Sequence, residues 1–169
     1  ASCDACPSGG YCAAEGAATE RQTYTPCPPG TYNPSNGSAS DASCLACPPG
    51  KANNIPGSSG ADVCVECLPG SVAPNNGTAT CALCEPGKRQ PARGQLGCLG
   101  CVEGSFCVEG SALPIPCPGG SHSNSTNLAS AEECASTVPG FFSPTGSIEP
   151  TPCAAGTVAA GWGFEVCIK

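Results

Sequence analysis

The chain has 169 residues and a net charge of −7, and its 23 Gly, 19 Pro and 17 Cys together exceed a third of it. Leu, Ile, Val and Phe stay below a fifth, Met is absent and there is one Trp, so burying ordinary apolar side chains cannot repay the entropy of ordering the chain. A conventional oily core is excluded, and six Lys and Arg are too few for a phosphate-binding, nucleic-acid surface.

What the composition does support is a disulfide scaffold. A staple closing about 15 residues contributes roughly 3 kcal/mol, mainly by restricting the unfolded chain, and several in series can replace a missing core. Such staples need an oxidising compartment, which predicts a secreted or cell-surface protein. The scattered acids read as a solubilising surface. No apolar run is long enough to cross a bilayer, so membrane insertion by this segment is not expected. No leader pattern opens the chain, yet oxidised cysteines require export, so residue 1 is not expected to be the translational start.

In chain order the predicted elements are copies of one phrase, Cys-x-x-Gly. CPSGGYC, Cys6 to Cys12, follows a Cys-x-x-Cys junction that starts at Cys3. CPPGTY opens at Cys27, CPPGKA at Cys47, CLPGSV at Cys67 and CEPGKR at Cys84. The small unit returns as CVEGSFC, Cys101 to Cys107, before CPGGSH opens at Cys117 and CAAGTV at Cys153. The larger loops enclose 16 residues (Cys27 to Cys44, Cys47 to Cys64, Cys117 to Cys134) or 13 (Cys67 to Cys81, Cys84 to Cys98, Cys153 to Cys167). Pairing each opener with its closer uses every cysteine except Cys3, which is expected to close a loop opened upstream, so residues 1–169 read as one tandem array within a longer one. One module departs from the pattern. Thr137 stands where an opener belongs, so the stretch 138–152 is expected to have lost both opener and partner, to lean on Phe141 and Phe142, and to be locally softer.

Pro presets φ near −65° and Gly accepts positive φ, so each Pro-Gly predicts a type II turn. Two residues after that Gly comes a slot holding Tyr11, Tyr32, Ala52, Val72, Arg89, Phe106, His122, Phe142 and Val158, expected to supply a miniature core for each unit. The fold class expected is a small disulfide-rich repeat protein with turns, short two-stranded β-ribbons and little or no helix. Each module is expected to touch only its neighbours, which makes an elongated rod.

Three N-x-S/T sequons survive, at Asn36, Asn76 and Asn124, all in mid-loop, and are expected to carry glycans. Zinc is the rival reading for the sulfurs, because Cys44, Cys47, Cys64 and Cys67 form C-x2-C-x16-C-x2-C. It would strand the two small units. The CLAC, CVEC, CALC and CLGC junctions share a redox-motif spacing but lack its βαβ setting. His122, the only histidine, falls in the packing slot; Glu132 and Glu133 are adjacent, and side chains one apart do not converge. Lys88 and Arg89 read as solvated charges. No catalytic constellation, metal site or cofactor is expected.

C-P-P-G-x-Y followed by a Cys-x-x-Cys junction resembles the ephrin-receptor-like cysteine-rich repeat and, more distantly, the modules of tumour necrosis factor receptors. GSFCVEGSALPIPCPGGSHSNST is similar to phrases in surface proteins of algae and other protists, including components of mastigonemes. The resemblance implies a structural segment of an extracellular glycoprotein filament or surface fibre that self-assembles or joins neighbouring subunits. The alternative it implies is the stalk or ligand-binding ectodomain of a membrane receptor or adhesin.

Overall fold

The computed structural model describes residues 5–13 and 23–169. Cys3, the cysteine assigned to an upstream opener, lies outside the described residues. The chain is a small disulfide-rich repeat fold: the described residues hold eight disulfides, eight short two-stranded ribbons and no α-helix. Two compact units divide it. One comprises residues 1–68, 72–82 and 93–97, the other residues 69–71, 83–92 and 98–169.

Within each module the same local events recur. The opener leads into a turn whose glycine has positive φ: Gly30 at 86°, Gly50 at 81°, Gly120 at 83°. The turn is closed by a bond such as Thr31 N–H to the Pro28 carbonyl, 3.2 Å, the i to i+3 bond that a type II turn provides. The two residues after the glycine form one rung of a ribbon with the two residues before the next opener. Thr31–Tyr32 pairs with Leu45–Ala46, Lys51–Ala52 with Val65–Glu66, and Ser121–His122 with Ala135–Ser136. From Cys27 on, strands of two residues are all that the Gly and Pro spacing leaves, whereas the first ribbon pairs Gly10–Ala13 with Thr23–Pro26. The 16-residue loops differ from the 13-residue ones by a 3-10 turn set just before the closer, at Asp41–Ser43, Ala61–Val63 and Ala131–Glu133.

Burial corrects the expected packing slot. The residues two after the glycine are mostly half-buried, and Val158 is exposed. The buried position is one residue further on: Cys12, Asn33, Asn53, Ala73, Gln90, Cys107, Ser123, Ser143 and Ala159 are all buried. A core of openers plus small or polar residues has little apolar content, so its polar members carry their own partners. Asn53 Nδ2 donates to the Thr31 and Ile55 carbonyls at 3.1 Å and to Ser58 Oγ at 3.0 Å, while its Oδ1 accepts the Ile55 N–H. Among the described residues the one apolar cluster of ordinary type is in the second unit, where Phe106 packs on Cys117, Leu128 and Cys134.

In the first unit the modules are clamped by four kinds of main-chain bond. Cys47 N–H donates to the Gly30 carbonyl (2.8 Å) and Gly30 N–H to the Asn53 carbonyl (2.6 Å). Asn33 N–H donates to the Ser58 carbonyl and Gly57 N–H to the Cys27 carbonyl, both 2.9 Å. The second unit repeats the set: Cys117 to Gly104, Gly104 to Ser123, Cys107 to Leu128, Asn127 to Cys101.

Contacts also reach past the neighbouring module, contrary to the expectation that each module touches only the next. A Cβ on Gly9 would collide with the Gly57 carbonyl, and one on Gly30 with that of Gly77, in each case a module two further along. Gly87 meets Asn127, and Gly120 meets Gly163, in the same way in the second unit. Each module from Cys27 on therefore carries a second left-handed residue, and Asn127, φ 64°, is the non-glycine that fills this position. Asn tolerates that conformation better than other side chains.

Candidate functional sites: staples and sequons

The structure joins Cys6 to Cys12, Cys27 to Cys44, Cys47 to Cys64, Cys67 to Cys81, Cys84 to Cys98, Cys101 to Cys107, Cys117 to Cys134 and Cys153 to Cys167. The four thiols of the zinc-ribbon spacing are thereby divided among three staples: Cys44 with Cys27, Cys47 with Cys64, Cys67 with Cys81. Two geometries of staple exist. The short one links an opener to the buried position three after the turn glycine, with Cα atoms 5.7 Å apart for Cys6 and Cys12 and 5.8 Å for Cys101 and Cys107. The longer ones reach from the opener to a cysteine beyond the loop tip.

The stretch expected to have lost opener and partner keeps both positions. Thr137 N–H donates to the Gly120 carbonyl at 2.9 Å, the bond that every opener from Cys27 on makes to the preceding turn glycine. Its Oγ1 donates to Ser143 Oγ at 2.7 Å, and both residues have 0% exposure. Thr137 and Ser143 are six apart and sit where Cys101 and Cys107 sit, so a buried hydroxyl pair replaces a short disulfide. Phe141 and Phe142, on which this module was expected to lean, are half-buried in its ribbon opposite Pro152 and Thr151. The sequence signal was available, Thr and Ser at the separation of a short staple, but a search keyed to sulfur passes over hydroxyls.

All three sequon asparagines are exposed. Asn36 Oδ1 accepts the Ser8 N–H at 2.9 Å, and the residue as a whole is exposed. Asn36 and Asn76 occupy one position, immediately before the second left-handed glycine of their modules, Gly37 and Gly77. Asn124 sits two residues nearer to its turn glycine, Gly120.

The remaining candidates show no convergence. Glu132 is held below the usual carboxylate range by the Ser130 hydroxyl and then by its own backbone N–H, and it is fully exposed. Lys88 pairs with Glu85 at 3.1 Å on an exposed surface, a contact of little energetic weight. Arg89 is half-buried in its ribbon opposite Leu99, and its Nε is buried without a partner. His122 is half-buried opposite Ala135, and its Nδ1 is buried without a partner. An open depression of about 570 Å³ bordered by Val102, Glu103, Thr126, Asn127 and Ile148 offers one carboxylate and no second ionisable side chain. No helix of the described residues is long and apolar enough to cross a membrane.

A staple-dominated interior defines an extracellular type of cysteine-rich domain. Residues 18–64 match the family described as tyrosine-protein kinase ephrin type A/B receptor-like, which supports an ephrin-receptor-like cysteine-rich repeat over that stretch. Such repeats are a non-catalytic ectodomain type. Comparison with curated proteins finds none that matches.

Proposed function

We propose that this chain is a structural segment of an extracellular glycoprotein filament or cell-surface fibre, built to be stiff, resistant to proteases and coated with glycans at Asn36, Asn76 and Asn124. The observation that carries the reading is the main-chain clamp between successive modules, which repeats in both units and is locked by disulfides. Repeats that each bury surface against the next gain stability by addition and need no catalytic or ligand pocket. Main-chain groups tied up between modules and staples closing each loop leave few segments that can unfold locally into a protease. Exposed sequons put sugar outside this framework. Neighbouring subunits of the same filament are the expected partners.

The match to a receptor-like repeat supports a second reading, the stalk or ectodomain of a membrane receptor or adhesin. Electron microscopy of native material, with antibody to this segment and parallel membrane fractionation, separates the two. Label at a regular axial period along detergent-insoluble fibres supports the filament. Label confined to single detergent-soluble membrane particles overturns it in favour of the stalk.

A further inference from the structure

The three sequons differ in what their own backbone is doing. In Asn36–Gly37–Ser38 every residue is engaged with the preceding module or the interior. Asn36 Oδ1 accepts from Ser8 N–H (2.9 Å), Gly37 N–H donates to the Cys6 carbonyl (2.6 Å) and the Ser38 carbonyl accepts from Cys12 N–H (2.9 Å). The Ser38 hydroxyl, which the sequon requires, is buried and accepts from Asn33 Nδ2 at 2.8 Å. In Asn76–Gly77–Thr78, Gly77 N–H donates to the Cys47 carbonyl (2.9 Å), the Thr78 carbonyl accepts from Asn53 N–H (3.2 Å), and the Thr78 hydroxyl is turned back onto the Asn75 carbonyl (2.8 Å). In Asn124–Ser125–Thr126 all three residues are exposed, and none is bonded to another module; Ser125 N–H reaches only Ser123 Oγ at 3.1 Å.

The cause is register. The second left-handed position of each module from Cys27 on is a rung of the clamp, and in two of the sequons that rung is the middle residue. Asn124 precedes its own rung, Asn127, by three residues and so escapes. Transfer of a glycan requires the asparagine Nδ2 to attack the anomeric carbon of a lipid diphosphate-linked sugar. The C–N bond forms as the C–O bond to the diphosphate breaks, and one Nδ2 proton passes to a base. The transferase must hold the amide and the hydroxyl two residues on together in its own groove. A sequon whose backbone is a rung must first leave the clamp, at the cost of opening two modules.

We infer that Asn36 and Asn76 accept glycans only before their modules close, whereas Asn124 remains an acceptor in the folded, oxidised protein. The inference rests on the glycoprotein reading above. The test uses the full chain made without glycans, with its oxidised state verified by mass. Folded protein and reduced, alkylated protein are each incubated with a single-subunit oligosaccharyltransferase and a lipid-linked donor, and occupancy is read by glycopeptide mass spectrometry. The expected result is Asn124 alone in the folded protein and all three sites in the reduced chain. A Cys27→Ser, Cys44→Ser variant, oxidised at its other staples, should gain Asn36 while Asn76 stays silent. Equal labelling of Asn36 in folded and reduced protein overturns the inference and leaves the glycoprotein reading standing. No labelling at any site of the reduced chain overturns both.

Discussion

The module opened by Cys101 and the module opened by Thr137 have the same backbone and different locks. Both place the opener under the preceding turn glycine, Cys101 N–H on Gly87 and Thr137 N–H on Gly120, each at 2.9 Å. Both bury the residue six positions on, Cys107 and Ser143. One pair shares a covalent bond and the other a hydrogen bond of 2.7 Å. The difference separates two things that cysteine does in this chain. Position and burial are set by the main-chain clamp, which is blind to the side chain, and the sulfur adds covalent restriction of the unfolded chain on top of it.

The largest effect expected from this comparison comes from the glycines. Gly104→Ala in the Cys101 module meets the Gly146 carbonyl and a φ of 69°, so left-handed strain and steric overlap together should cost about 4 kcal/mol. Gly140→Ala in the Thr137 module has φ 86° but nothing within 4 Å, and should cost only about 1–2 kcal/mol. Equal losses of Tm in the two variants would show that the contact two modules along carries no weight.

Exchanging the locks comes next. Cys101→Thr with Cys107→Ser should lower stability by about 2 kcal/mol for the lost loop closure, with about 1 kcal/mol returned by the new hydroxyl pair. The reverse exchange, Thr137→Cys with Ser143→Cys, should form a disulfide unaided and raise Tm. A persistent pair of titratable thiols in that variant would mean that the two modules do not share a geometry. Thr137→Val is of similar size to the net loss in the first exchange: it leaves the Ser143 hydroxyl buried and unpaired, for about 1 kcal/mol measured by denaturant titration.

The smallest effect concerns Glu132. Its carboxylate is stabilised in the folded state, so its contribution is present above its unfolded pKa and is lost as pH falls through the lower, folded one. Because the group is fully exposed, Glu132→Gln should leave the acid limb of the stability profile unchanged within measurement.

How far these features could be read from sequence follows from which atoms make them. Disulfide richness, short ribbons and lack of α-helix were legible because Cys, Gly and Pro are themselves the cause of each. The clamp was not, since bonds such as Gly30 N–H to the Asn53 carbonyl join main-chain groups that every residue possesses. Its only trace is a second glycine at a fixed distance after the first, Gly37, Gly57 and Gly77, which a reading centred on Cys-x-x-Gly passes over. The packing slot was misplaced by one residue because aromatic size drew attention to Tyr32 and Phe106, while the buried seats at Asn33 and Cys107 hold smaller residues. The sequons were visible as triplets, but whether each is a rung depends on register, which separates Asn36 from Asn124.

The seating of Gly77 against Gly30, two modules on, has a consequence for how such a chain can grow. Contacts of this kind tie a module to the next but one. Deleting the single module opened by Cys47 would remove one link and present Gly30 with Gly94 in place of Gly77, another glycine with positive φ. Seats of one chemistry are interchangeable, so an array built this way tolerates gain or loss of single repeats without a new steric conflict at that seat.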